Sequence, residues 1–251
     1  MTKPPFCGYN YDKKGGFYMF SKKIIASILT FVMIFSFGSV FAQEFSEISA
    51  DVISKSVADV NNLKIMVGDT DGNFRGEDTI TRAEFSVILC RIKGLEDMAI
   101  SYPGNASFTD TQSHWSKNYV EIARLKDYIN GFPDYTFHPD EAVTVAQAAK
   151  MLVCVLGYDD SRLKGDFPFG YTKEGESIGL VNGANLPPYY LAEKNAVPAT
   201  RNFIAFLISN ALDIPLRDWV GIDDTGRVEY AIFDGTGDTE YTTLRTETYS
   251  N

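Results

Sequence analysis

Histidine and cysteine are scarce: two and three, respectively, among 251 residues. His114 and His138 leave little material for a general base, and no Gly-x-Ser-x-Gly element is present to supply a nucleophile. Carboxylates such as Asp110 and Glu84 sit where turns and helix caps account for them, so an enzyme is the weakest functional class and no cofactor or metal is expected. Cys90 and Cys154 lie inside helical patterns and read as small apolar core residues. Two such thiols do not make a disulfide scaffold. Basic residues are short as well, 23 against 33 acidic ones, for a formal net charge of −10. Residues 1–42 hold five of the lysines and one aspartate, which leaves 18 basic and 32 acidic residues, net −14, in the remainder. Nucleic acid is therefore not expected as a partner, and attraction to any anionic polymer must be local to particular arginines.

Long apolar runs are absent with one exception. Lys22 and Lys23 precede Ile24 to Ala42, with Val40 and Ala42 at the −3 and −1 positions of a signal-peptidase site. This predicts export, a mature start near Gln43, and no lipoprotein anchor, since no cysteine follows. The run is long enough to span a bilayer if it stays uncleaved, which would be the only membrane contact. Met19 is the expected natural start, with residues 1–18 and Cys7 as upstream sequence.

What the chain has instead is self-similarity. "GDTDGNF" (Gly68 to Phe74) places Asp69, Asp71 and Asn73 like the opening of a calcium loop. Counted from Asp69, however, Phe74 and Ile80 stand where an EF-hand needs glycine and a bidentate glutamate. A shift of 63 residues lays this stretch on "GFPDYTF" (Gly131 to Phe137) and "TRAE" (Thr81 to Glu84) on "TVAQ" (Thr144 to Gln147). Gly68, Asp71 and Phe74 recur as Gly131, Asp134 and Phe137, while Asp69 and Asn73 become Phe132 and Thr136. A glycine, a turn aspartate and an aromatic plug are repeated, and the cation ligands are not.

Thr81 and Glu84 have capping-box spacing, and Thr144 and Gln147 repeat it. Beyond them Phe85, Ile88, Leu89 and Ile92 share one helical face. Ala148, Met151, Leu152 and Val155 follow in the second unit. A third copy lies 119 residues after the first, where Thr200 and Arg201 precede Ile204, Leu207, Ile208 and Ala211. Upstream of each loop a weaker helical stretch is expected to pack on the capped helix: Val57, Val60, Leu63 and Met66 in the first unit, and Trp115, Tyr119, Ile122, Leu125 and Ile129 in the second. In the third it is Tyr171 to Gly183, the most worn. Helix, glycine loop and helix is thus the unit, and the units should share one core.

These residues, Phe108-x-Asp110, Trp115 opening a helix, the Asn-Gly turn, "GFPDYTFHPD" and "TRAE", resemble the S-layer homology domain over about Phe45 to Leu216. The resemblance implies a mainly α fold of three helix-loop-helix repeats, 43–100, 101–163 and a degenerate 164–220, in a pseudo-threefold bundle. It also implies grooves that bind secondary cell-wall polysaccharide through a pyruvate-ketal sugar, and a place at the cell wall or S-layer of a Gram-positive cell. The family's binding positions map unevenly. Arg82 and Gly68 stand in the first repeat, with Glu47 in place of the aspartate. Asp110, Trp115 and Gly131 stand in the second, with Val145 in place of the arginine. Arg201 and Gly183 stand in the third.

A guanidinium fork matches a carboxylate bidentately, so Arg82 and Arg201 are the expected anchors. Losing both is expected to abolish wall binding while the fold stays near that of the parent. Trp115 is either core or groove wall, and the three glycines are foremost turn residues. The alternative is an envelope scaffold that packs against other surface-layer protein. Arg227 to Tyr249 alternates around a Gly- and Asp-rich turn and predicts a β-hairpin, read as the β-rich start (221–251) of a further, truncated domain lying outside the shared core.

Overall fold

The computed structural model describes residues 48–158, 163, 165–222, 228–232 and 242–249. The leader, Met19, the apolar run and Glu47 lie outside the described residues. The fold is mainly helical: α1 (Ala50–Asn62), α2 (Arg82–Ile92), α3 (Glu96–Ile100), α4 (Lys117–Leu125), α5 (Val145–Val155), α6 (Phe169–Ile178), α7 (Tyr190–Glu193) and α8 (Arg201–Ala211), then strands β1 (Arg217–Ile222) and β2 (Val228–Ile232), and α9 (Leu244–Tyr249).

Helices α2, α5 and α8 start alike because each follows a threonine in extended conformation. Thr81 accepts from the amide of Glu84 at 3.1 Å, and Glu84 accepts in return from the amide of Thr81 at 2.8 Å. Thr144 and Gln147 repeat the exchange at 3.3 and 3.2 Å. Thr200 caps the amide of Phe203 at 3.3 Å, and Phe203 has no oxygen with which to reciprocate. The segments before these caps join backbone to backbone. Val143 donates to the carbonyl of Ile80 at 2.9 Å, Ala199 to that of Val143 at 2.9 Å, and Ile80 to that of Ala199 at 3.4 Å. The ring closes on itself, and Ile80, Val143 and Ala199 are completely buried at its centre. Around it Phe85, Ile88, Leu89 and Ile92 are buried, as are Met151, Leu152, Val155, Leu207 and Ile208. The expected apolar faces are therefore core.

The weaker helices do not pack mainly on the capped helix of their own unit. Helix α1 packs on α8, α4 on α2, and α6 on α5. Each capped helix thus receives the first helix of another unit. The face predicted for the second of these stretches is also displaced. Trp115 and Leu125 are 61 % and 51 % exposed, and the buried residues of α4 are Val120, Glu121, Ile122 and Ala123. Glu121 is tolerated because its carboxylate accepts from the amide and hydroxyl of Ser107, at 2.7 and 2.9 Å, and from Nε of Arg124 at 3.2 Å.

The carboxy-terminal segment corrects the predicted hairpin. Strand β2 pairs with the earlier β1, in antiparallel register, and Leu244–Tyr249 is helical. The expected Gly- and Asp-rich turn lies outside the described residues. Alternation misled here because Leu244 has a buried seat, and its neighbours find specific partners on the bundle. Arg245 donates to Asp59 from Nη1 and Nη2 at 2.9 and 2.8 Å and to Asp213 from Nε at 2.6 Å. Lys93 pairs with Glu247, and the hydroxyl of Tyr249 donates to the carbonyl of Arg91 at 2.7 Å. Far from lying outside the core, α9 ties α1, α2 and the end of α8 together.

Candidate functional site

The first residue of each capped helix meets the loop of a different unit. The Arg82 amide donates to the Glu141 carbonyl at 2.8 Å, and the Arg201 amide donates to the Asp78 carbonyl at 2.8 Å. Their side chains then follow the same course. Arg82 donates from Nε to the Phe137 carbonyl at 2.7 Å and lies 4.5 Å from that ring's centroid. Arg201 donates from Nε to the Phe74 carbonyl at 2.7 Å and lies 4.8 Å from that ring. Phe74 and Phe137 are the repeated plug, so each arginine is held over the plug of a neighbouring unit. The attraction of a cation for the ring face adds to the hydrogen bond.

Surroundings distinguish the two. Arg82 is only 3 % exposed, with Phe132 as a second ring at 5.0 Å. Burial pulls its pKa down to about 10, against the opposing pull of Glu141 and Asp110. Its Nη groups meet no acceptor among the described residues. Arg201 is half-buried, donates Nη2 to the Val67 carbonyl at 2.8 Å, and has its pKa lowered by burial, opposed first by Glu84. Val145, at the matching place in α5, is fully buried, and its amide donates to the Val197 carbonyl at 2.9 Å.

Two cavities open at these arginines. One of about 260 Å³ is lined by Arg201, Trp115, Val67, Glu84 and Arg91 among others. The second, of about 130 Å³, is lined by Arg82, Gly131, Phe132, Gln147, Lys150 and Phe167 among others. Trp115 is therefore groove wall and not core. The structure brings Trp115 and Arg201 together, and Arg82 and Gly131 together. Lys150, Phe132 and Phe167 escaped the sequence reading. The 63-residue shift that put Lys150 at the place of Val87 could have found the first of these.

Asp110 is committed to the loop. Its carboxylate accepts from the Phe137 amide at 2.9 Å and the His138 amide at 2.7 Å. Gly131 is required for close approach, since a Cβ there would lie 2.0 Å from the Phe108 ring and 2.7 Å from the Thr136 carbonyl oxygen. Gly68 is crowded more mildly, at 3.0 Å from the Asn73 carbonyl oxygen. At Gly183 space is open and the backbone is left-handed, φ +82°. Oδ1 of Asp69 accepts from the amides of Asp71 and Asn73 at 3.0 and 2.9 Å, so that carboxylate holds its own turn. Among the described residues no group of three or more His, Cys, Asp or Glu is placed to hold a metal ion.

The class defined is a helical repeat protein with grooves between its units. The S-layer homology domain profile matches residues 46–86 and 107–149, so the chain carries two such repeats. The Surface layer protein of Brevibacillus choshinensis is 31% identical over 179 residues, covering 69% of this chain and 16% of that protein. The Middle cell wall protein of Brevibacillus brevis is 30% identical over 207 residues, covering 79% and 19%. The Cellulosome-anchoring protein of Acetivibrio thermocellus is 31% identical over 96 residues, covering 37% and 21%. The chain spans about a fifth of the length of these relatives.

Proposed function

We propose that residues 43–220 are a non-covalent anchor of three S-layer homology units, the third degenerate. The anchor holds an exported surface protein to the cell wall by binding secondary wall polysaccharide, pyruvylated at its end, in the two arginine-bearing grooves. Residues 1–42 act as its export signal. The carrying observation is the equivalence of Arg82 over Phe137 and Arg201 over Phe74. An arginine fixed by its Nε and by a ring presents its remaining donors in one orientation, which suits a planar carboxylate. Trp115 beside Arg201 offers an apolar wall to a sugar face. Relatives described as surface-layer, cell-wall and cellulosome-anchoring proteins support this reading.

The test is co-sedimentation with purified walls, native or stripped of pyruvate. Arg201→Ala and Trp115→Ala should each weaken binding, and combining Arg201→Ala with Arg82→Ala should abolish it. Val145→Ala serves as control and should change little. If folded double mutant still sediments as the parent does, the bundle acts as an envelope scaffold through protein packing.

A further inference from the structure

The loops of the first two units reverse direction in the same way. In the first, the Gly72 amide donates to the Asp69 carbonyl and the Asp69 amide to the Asn73 carbonyl, both at 2.9 Å. In the second, the Tyr135 amide donates to the Phe132 carbonyl at 3.0 Å and the Phe132 amide to the Thr136 carbonyl at 2.8 Å. Gly72 and Tyr135 match under the 63-residue shift, and both are left-handed, with φ +82° and +63°. Glycine adopts that backbone freely, whereas a Cβ there crowds the following carbonyl oxygen. A tyrosine thus stands in the slot of a glycine.

The ring does not pack into the fold. Tyr135 is 73 % exposed, more than any other large apolar residue among those described, and its ring and hydroxyl meet no partner among the described residues. Its backbone is nevertheless held firmly. The Tyr135 carbonyl accepts from the Thr109 amide at 2.9 Å and the Thr109 hydroxyl at 3.3 Å, and Oδ1 of Asp134 accepts from the Thr136 amide at 3.2 Å. Neighbours therefore impose the strained conformation, and the side chain is left for an external contact. Phe132, which opens the turn, lines the Arg82 cavity, and the ends of such a turn lie within about 7 Å of each other. Tyr135 stands beside that cavity's wall. Around it Asp134, Thr136 and Thr109 leave too little apolar surface for a protein interface. One flat ring among hydroxyl and carboxylate oxygens suits a sugar, which offers C–H groups on its face and hydroxyls at its edge. Asp134 disfavours an anionic unit at this place.

We infer that Tyr135 is an aromatic platform outside the grooves, on which the wall polymer lays an uncharged sugar ring. This rests on the polysaccharide reading. It makes the two loops unequal, since both turn the chain and the second also holds ligand, where the first has Gly72.

The probe is the soluble polysaccharide released from purified walls by muramidase, titrated calorimetrically into the full chain. Tyr135→Gly should weaken its binding about three- to tenfold, the worth of one aromatic contact. The same variant should melt at or above the parent, because the left-handed strain is relieved. A packing residue does not give those opposite signs. Tyr135→Phe, which keeps the ring, should bind within about twofold of the parent. Undiminished binding by Tyr135→Gly, under conditions where Arg201→Ala binds more weakly, overturns the platform and leaves polysaccharide binding in place. If that variant instead binds the soluble polymer as the parent does and loses whole walls, the partner is a protein and the platform is equally overturned. Melting of Tyr135→Gly well below the parent makes the ring structural, and a loss in Tyr135→Phe equal to that in Tyr135→Gly assigns the contact to the hydroxyl; either overturns the platform. A parent that binds no released polysaccharide overturns the polysaccharide reading together with it.

Discussion

Arg201 lies over Phe74, its Nε 2.7 Å from the Phe74 carbonyl oxygen, although 127 positions separate them in the chain. The matching pair, Arg82 and Phe137, is 55 positions apart. One arginine reaches backward to an earlier loop and the other forward to a later one. That is what a closed ring of units requires, because the last must meet the first.

Arg82 makes structural contacts of its own, which corrects the expectation that its removal leaves stability untouched. Arg82→Ala strands the buried Phe137 carbonyl and empties the space between Phe132 and Phe137. The cost should be about 2–3 kcal/mol, or a fall in Tm of about 5–10 °C. Arg201→Ala, at a half-buried site, should cost about half as much. Melting of Arg82→Ala within a degree of the parent would refute the anchoring role.

Acid should loosen α9. Hydrogen bonds from Arg245 hold the Asp59 carboxyl below its ordinary 3.8, with Ser209 helping and burial opposing. A depressed carboxyl contributes stability that is complete above its unfolded value and is lost as pH falls through the folded one. Tm measured from pH 6 downward should therefore show an extra drop below about pH 4, blunted in Asp59→Asn. Arg245→Ala should cost about 1–2 kcal/mol at neutral pH.

Gly131 and Gly183 should respond differently to alanine. At Gly131 the new methyl collides with the Phe108 ring and the Thr136 carbonyl, so the loop that carries Phe132 must move. At Gly183 only the left-handed backbone resists, at about 1–2 kcal/mol. Thermal melts should rank Gly131→Ala well below Gly183→Ala. The reverse order would contradict the close approach.

Residues 43–163, two units without the third, should not melt cooperatively. Helix α1 packs on α8, and the Ile80 amide donates to Ala199, so truncation bares one face and opens the ring. Circular dichroism and dye binding should report residual helix with exposed apolar surface. A sharp two-state melt would mean that two units suffice.

The capped helices were legible because Thr81, Thr144 and Thr200 announce their own starts, and the spacing of Phe85, Ile88, Leu89 and Ile92 fixes a face whatever packs on it. Trp115 and Leu125 were misplaced for the opposite reason. Helical spacing tells which residues share a side, but a groove wall and a core face have the same period. The end of the chain failed similarly: alternation predicted a strand through Leu244, and the partners that made it helical, Asp59 and Asp213, are remote in sequence.

The sequence by itself determined the units, their caps, their turn glycines and the absence of a third such arginine, at Val145, since these are read from neighbours a few residues away. Tertiary structure alone decided that first helices pack on the capped helices of other units. It decided that Arg82 is buried over Phe137, and that Gln147 and Lys150 face one groove while Glu84 faces another. Those outcomes follow from the backbone ring of Ile80, Val143 and Ala199, which joins the segments before the three capped helices. Each unit has more apolar face than it can cover alone, and only the closed arrangement sets which surfaces meet.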